Sequence, residues 1–109
     1  MIDEATITEA VELLRRAAPG AKVILFGSYA RGDANPDSDL DFLVVEAHLE
    51  ARRAEMVRLR DVLRPLRIPA DVLVTSEKTF RDWADTPGTV LYEAAQEGRG
   101  FDAISCSTG

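Results

Sequence analysis

The sequence predicts a small α/β or α+β domain, in which a mixed β-sheet of about three or four strands is flanked by helices. The chain has 109 residues, which is the size of one domain with a single core. Three short apolar runs have the length and composition of buried strands. Segments in which apolar residues recur at helical spacing lie before, between and after these runs.

The predicted elements follow in the order helix, strand, loop, strand, helix, strand, helix, helix. Their bounds are residues 6–18, 22–26, 27–38, 39–45, 49–66, 70–74, 78–83 and 89–97. Thr6 or Thr8 is expected to cap the first helix, and Pro65 to end or bend the second long one. A turn of helix is expected to begin at Ser28 within the loop.

Charge and composition narrow the classes of function. The formal net charge is -6 and the sequence pI is near 4.7, so direct nucleic-acid binding is not expected. There is no signal-peptide pattern or membrane-spanning run, and we expect a cytoplasmic protein without membrane contact. Residues 1–101 are interpreted as the folded domain and residues 102–109 as a flexible C-terminal tail.

Two aspartates mark the second predicted strand. Asp39 and Asp41 are two residues apart, so on a strand their side chains point to the same face. Adjacent carboxylates repel each other, and a divalent cation removes that conflict. Magnesium prefers oxygen ligands and is typically held by one or two carboxylates plus substrate phosphates.

Gly27 and Ser28 directly follow the first predicted strand. Glycine lets the backbone approach a ligand, and a strand-to-helix turn presents N–H groups that favour phosphate. The serine hydroxyl adds a donor. A phosphate cradle beside metal-binding carboxylates indicates a nucleoside triphosphate bound through magnesium.

Asp71 opens the third predicted strand. If that strand lies beside the second, Asp71 falls near Asp39 and Asp41, and three carboxylates then suit a two-metal site. Each feature alone is more often a turn, a cap or a surface charge. The combination of Gly-Ser, ten intervening residues and Asp-x-Asp between apolar strands is far more specific.

The segments Gly27-Ser28-Tyr29-Ala30-Arg31-Gly32 and Ser38-Asp39-Leu40-Asp41-Phe42-Leu43-Val44 resemble the signature of the polymerase β-like nucleotidyltransferase superfamily, most closely its minimal nucleotidyltransferases (MNT proteins). The resemblance extends over almost the whole chain. Phe42 stands where leucine is common, which is a mild departure.

The resemblance implies Mg²⁺-dependent transfer of a nucleoside monophosphate, expected to be AMP from ATP, to a hydroxyl group. Asp39, Asp41 and Asp71 would be catalytic and bind metal, with Asp71 also helping to deprotonate the acceptor. Gly27, Ser28 and Arg31 would bind the nucleotide. Minimal members are commonly antitoxins paired with HEPN toxins, and some transfer AMP to a tyrosine of the toxin. An acidic chain suits such a basic partner.

Several alternatives remain open at this point. Arg31 contacts the triphosphate, or pairs with Asp33 or Asp37 and shapes the loop. The predicted second long helix is basic on its polar side, and a solvated, partly paired face is favoured over a binding surface. Its arginines are Arg52, Arg53, Arg58, Arg60, Arg64 and Arg67.

The function has alternatives too. The chain is an enzyme acting on a partner, an antitoxin that neutralises by binding alone, or an enzyme acting on a small molecule with a second subunit. Homo-oligomers and partner complexes both fit. The acceptor, the base preference and the number of nucleotides added are not determined by the sequence.

Overall fold

The computed structural model describes residues 2–101, and the predicted tail at 102–109 lies outside them. Within that range the chain forms five α-helices, one 3-10 turn and four strands. The helices are α1 (Glu4–Ala17), α2 (Ser28–Arg31), α3 (Arg52–Val62), α4 (Glu77–Trp83) and α5 (Val90–Glu97). The strands are β1 (Lys22–Phe26), β2 (Leu40–Glu46), β3 (Ala70–Ser76) and β4 (Arg99–Phe101).

The four strands form one mixed sheet in the order β3-β2-β1-β4. β1 is antiparallel to both β2 and β4, whereas β2 and β3 are parallel. The predicted mixed sheet flanked by helices is therefore confirmed. The parallel β2–β3 pair is joined by α3, as a parallel pair needs a crossover connection.

The sheet carries a large core on one face and a small one on the other. On the first face, β-strand residues pack with α1 and α3 around fully buried side chains: Val23, Leu25, Leu40, Phe42, Val44, Val72 and Val74. The opposite face holds a smaller cluster with α4 and α5: Ile24, Phe26, Leu43, Val45 and Ala94, with Leu73, Phe80 and Leu91 against it. Alternation along β2 places Asp41 on the same side as Leu43, which is the thinly covered face.

Three predicted helix boundaries were wrong, namely the start of α1 and both ends of α3, which begins at Arg52 rather than at residue 49. Helix α1 begins at Glu4, because the side chain of Asp3 rather than Thr6 or Thr8 caps it and accepts a hydrogen bond from the Thr6 amide at 2.9 Å. The helix predicted over residues 49–66 is interrupted. α3 ends at Val62 and a 3-10 turn, Arg64–Leu66, follows, since Pro65 cannot donate the next helical hydrogen bond.

Strand β4 was not predicted. Its three residues, Arg-Gly-Phe, show no alternation, and they become a strand only by pairing with Val23, Ile24 and Leu25 of β1. Gly98, just before it, has no room for a Cβ, which would collide with the Ala94 carbonyl oxygen and with Ile24. Across residues 2–101, no helix combines the length and apolar content that crossing a bilayer requires.

Candidate active site

The parallel pairing of β2 and β3 brings two of the predicted carboxylates together. Asp41 lies directly opposite Asp71 in the register, and Phe26 of β1 lies opposite Asp41 on its other side. Because residues in register share a face, both aspartates project from the thinly covered side of the sheet. The condition on which the prediction for Asp71 depended, a third strand beside the second, is met.

Asp39 was predicted to open the second strand and to share a face of it with Asp41, and this was wrong. β2 begins at Leu40, and Asp39 lies one residue before it in an exposed position. Its charge nevertheless reaches Asp41. Burial is the main cause that raises the pKa of Asp41 above its usual value, and the carboxylates of Asp71, Asp39 and Glu93 raise it further, whereas Arg31 lowers it. Asp41 is thus the half-buried centre of an acidic cluster that favours a bound cation.

Gly27 is packed against this cluster. Its backbone has φ 80° and ψ −156°, a conformation open essentially to glycine alone. A Cβ at this position would collide with the Asp41 carboxylate. The strand-to-helix turn therefore lies in contact with the carboxylate, as a cradle holding phosphate next to a metal would require. Helix α2 begins at Ser28, as predicted.

Arg31 ties this turn to α5. Its guanidinium lies 3.2 Å from both Glu93 and Glu97 and 3.3 Å from Asp33. The predicted pairing with Asp33 is present, and the two α5 partners were not foreseen. Contact between Arg31 and a triphosphate stays a prediction.

Two side chains at the site were missed by sequence reasoning. Arg60 of α3 reaches Asp71, with Nη2 3.5 Å from Oδ1, although the sequence grouped it with a solvated basic face. Glu93 of α5 adds its charge to the field at Asp41. No local signal in the sequence marks either residue, because each reaches the site from an element that only the tertiary fold brings near.

The donor set fits a hard divalent cation. Three carboxylates supply oxygen ligands only, and their mutual repulsion at Asp41 is what such a cation relieves. In the described range no three acidic, histidine or cysteine side chains already converge on one metal position. Asp71 is instead paired with Arg60, and Asp39 is exposed. Metal binding at all three aspartates remains a prediction.

A small mixed sheet with a Gly-Ser turn packed against paired aspartates defines a protein of the nucleotidyl-transfer class. The comparison with known families agrees. The chain matches the nucleotidyltransferase domain family over residues 7–97, and it belongs to that family.

A curated relative carries the resemblance further. The chain is 49% identical over 47 residues to a candidate protein adenylyltransferase, MJ0604, from Methanocaldococcus jannaschii. The match covers 41% of this chain and 47% of the relative, so this chain aligns with about half of that protein's length.

Three solved structures share the fold. One, a toxin–antitoxin with AMP-PNP, has a TM-score of 0.63 at 23% identity, covering 98% of this chain and 79% of the other. A Shewanella oneidensis complex of a tri-AMPylated HEPN toxin with an MNT antitoxin has a TM-score of 0.59 at 17% identity, covering 98% and 78%. A mutant MntA–HpeT toxin–antitoxin has a TM-score of 0.57 at 25% identity, covering 93% and 72%. The predicted family resemblance is confirmed.

Proposed function

We propose that this chain is a magnesium-dependent nucleotidyltransferase that transfers AMP from ATP to a tyrosine hydroxyl of a HEPN-type toxin, and so acts as its antitoxin. The observation that carries the proposal is that Asp41 lies opposite Asp71 in the sheet and also packs against the Gly27 turn. This arrangement suits a metal and a triphosphate bound side by side. The similarity to MJ0604 and to MNT–HEPN complexes supports the choice of AMP and of a protein acceptor.

Each site residue has a role in this proposal. Asp39, Asp41 and Asp71 would hold Mg²⁺, which would lower the pKa of the acceptor hydroxyl and neutralise triphosphate charge. Gly27 and Ser28 bind the phosphates, and Arg31 adds a cation on the α5 side. The acceptor oxygen attacks the α-phosphorus of ATP, its proton passes to Asp71, the bond to the bridging oxygen breaks, and pyrophosphate leaves.

We further propose that transfer is repeated on the same acceptor. The HEPN toxin in the Shewanella complex is tri-AMPylated, which supports more than one transfer per toxin molecule. Under this proposal, the acceptor in every round after the first is a ribose hydroxyl of the AMP already attached. That acceptor carries a phosphate, which a tyrosine lacks.

The experiment combines the chain with the product of the neighbouring gene, ATP labelled at the α-phosphate, and Mg²⁺. We expect label on the partner, which chelation of the metal abolishes. The double variant Asp39→Asn with Asp41→Asn should lose at least a thousandfold in rate, because one lost transition-state electrostatic contact alone costs about a hundred- to a thousandfold. Asp37→Asn, an identical charge change in the exposed loop, is the matched control.

Undiminished labelling by the double variant contradicts the proposal. If wild type transfers no label but both proteins still suppress the toxin in cells, the chain neutralises by binding alone. Transfer to a small molecule in place of the partner would make the chain an enzyme of small-molecule modification.

A further inference from the structure

The side chain of Arg60 on helix α3 extends past one edge of the sheet. β3 is the outermost strand on its side, and Arg60 reaches past it to place Nη2 3.5 Å from Asp71 Oδ1. Both side chains are more than half exposed, at 54% and 58%. The guanidinium therefore stands in solvent beside the carboxylate proposed to deprotonate the acceptor.

This placement sets Arg60 apart from the neighbouring arginines. Arg58 pairs with Glu55, three residues earlier on the same helix, and Arg64 pairs with Asp61 at 3.0 Å, again three residues earlier. Those pairs are local and need no other part of the fold. The contact made by Arg60 spans two elements and ends in the candidate site.

The two cations at the site stand on opposite sides of the carboxylates. Arg31 lies between α2 and α5, beside the Gly27 turn that is proposed to hold the triphosphate. Arg60 approaches from the β3 edge, next to Asp71. Since Asp71 takes the acceptor proton in the proposed reaction, Arg60 is the cation on the acceptor side.

We propose that Arg60 binds the phosphate of an AMP already attached to the acceptor, so that α3 forms a subsite used from the second round onward. The proposal rests on the proposed function. Asp71, if it held a metal, would share its charge with that metal and would pair less strongly with Arg60. The guanidinium, a planar fork of donors suited to phosphate, is then free to take an anion.

The chemistry of the later rounds balances in the same way as the first. A ribose hydroxyl oxygen of the attached AMP forms a bond to the α-phosphorus of a new ATP. The bond to the bridging oxygen breaks, the proton passes to Asp71, and pyrophosphate leaves. Arg60 neither gives nor takes a proton, and its contribution is to hold the phosphate that links this AMP to the acceptor.

The test compares rounds, using unmodified partner and isolated mono-AMPylated partner as separate substrates and intact-mass spectrometry as the readout. We expect Arg60→Gln to slow the first transfer less than about threefold and the second at least about tenfold, the loss of one charge-assisted contact. Arg60→Lys keeps the positive charge but loses the planar fork of donors, so its second-transfer rate should lie between those of wild type and Arg60→Gln. Arg64→Gln is the matched control and should follow wild type in both rounds.

A second measurement does not depend on turnover. With Mg²⁺ present, NMR titration should show wild type binding an O-adenylylated tyrosine peptide about tenfold more tightly than the same peptide unmodified, and Arg60→Gln should lose that preference. Equal slowing of both rounds would mean that Arg60 only positions Asp71, and would overturn the proposal. The proposal would also be overturned if Arg60→Gln changed neither transfer rate, or if wild type showed no preference for the adenylylated peptide. If wild type transfers nothing while the peptide preference holds, the proposed function fails and the subsite stands.

Discussion

At the scale of single residues, Gly27 has two separate reasons to be glycine. Its φ of 80° is costly for other residues, and a Cβ would collide with Asp41. We expect Gly27→Ala to destabilise the chain by about 1–3 kcal/mol and to abolish transfer. Urea unfolding and the labelling assay measure the two effects.

Gly20 offers a control, because only the first of these two reasons applies to it. It has a similar φ of +83°, but a Cβ at this position would have no other atom within 4 Å. Gly20→Ala should therefore cost about 1–2 kcal/mol from backbone strain alone and leave transfer intact. Equal effects of the two substitutions on transfer would refute the importance of the Gly27–Asp41 contact.

Asp41 is a residue at which stability and function conflict. Burial and the neighbouring carboxylates disfavour its charge, so Asp41→Asn should stabilise the metal-free chain at pH 7 while abolishing transfer. Thermal unfolding with and without Mg²⁺ checks this. Mg²⁺ should raise the Tm of wild type and not that of the variant. A variant less stable than wild type without metal would contradict the expectation.

Arg31 distinguishes a structural role from nucleotide binding. Its exposed ion pairs with Glu93 and Glu97 are worth only about 0.2–1 kcal/mol each. If Arg31 binds the triphosphate, Arg31→Gln should raise the KM for ATP about tenfold, the loss of one charge-assisted hydrogen bond. Glu97→Gln, which breaks one pair but keeps the cation, should leave that KM unchanged. If Arg31→Gln and Glu97→Gln both lose a little stability and neither changes the KM for ATP, the role of Arg31 is structural.

At the scale of elements, the junction of β2 with α3 contains a pH-sensitive pair. Burial raises the pKa of Glu46 to about 7, and the neighbouring Glu55 carboxylate adds to it. The hydrogen bond from Arg58 lowers the pKa of Glu55 to about 2. Within the described residues, Glu46 Oε2 is a buried oxygen with no hydrogen-bond partner, as the end of β2 meets the first turn of α3.

The sign of the pH effect follows from these shifts. Between pH 4.5 and 7 the folded chain keeps a proton on Glu46 that the unfolded chain has lost, so stability should fall by on the order of 1 kcal/mol as pH rises through this range. Glu55 acts oppositely, and its contribution is lost only below pH 4.5. In urea unfolding from pH 5 to 8, Glu46→Gln should remove this decrease of the free energy of unfolding with rising pH. The exposed Glu50→Gln is the control, and an unchanged slope in Glu46→Gln would rule out this assignment.

At the scale of the whole molecule, charge argues against nucleic acid as a direct ligand. The chain carries a formal net charge of -6, and the arginines Arg58, Arg60 and Arg64 are each paired with a carboxylate. We expect no gel shift of single-stranded or duplex RNA at about 0.15 M salt, where phosphate contacts are already weakened. Retention of RNA that disappears on removing these arginines would show that the basic helix is a binding surface.

The sequence alone determined what depends on neighbours along the chain. Three apolar runs predicted three of the strands, the second run included Asp41, and Gly27-Ser28 followed a strand. Short-range sterics and side-chain alternation act within a few residues, so such patterns can be recognised without the fold. The family signature is of the same kind, because it lies in one contiguous segment.

Only the tertiary structure decided which distant residues meet. The parallel register placed Asp71 opposite Asp41, the β3 edge let Arg60 reach Asp71, and α5 brought Glu93 and Glu97 to Arg31. β4 exists because three residues can pair with an already formed β1. Strand order and register are set by how both faces of the sheet are covered, a property of the whole chain that no local pattern encodes.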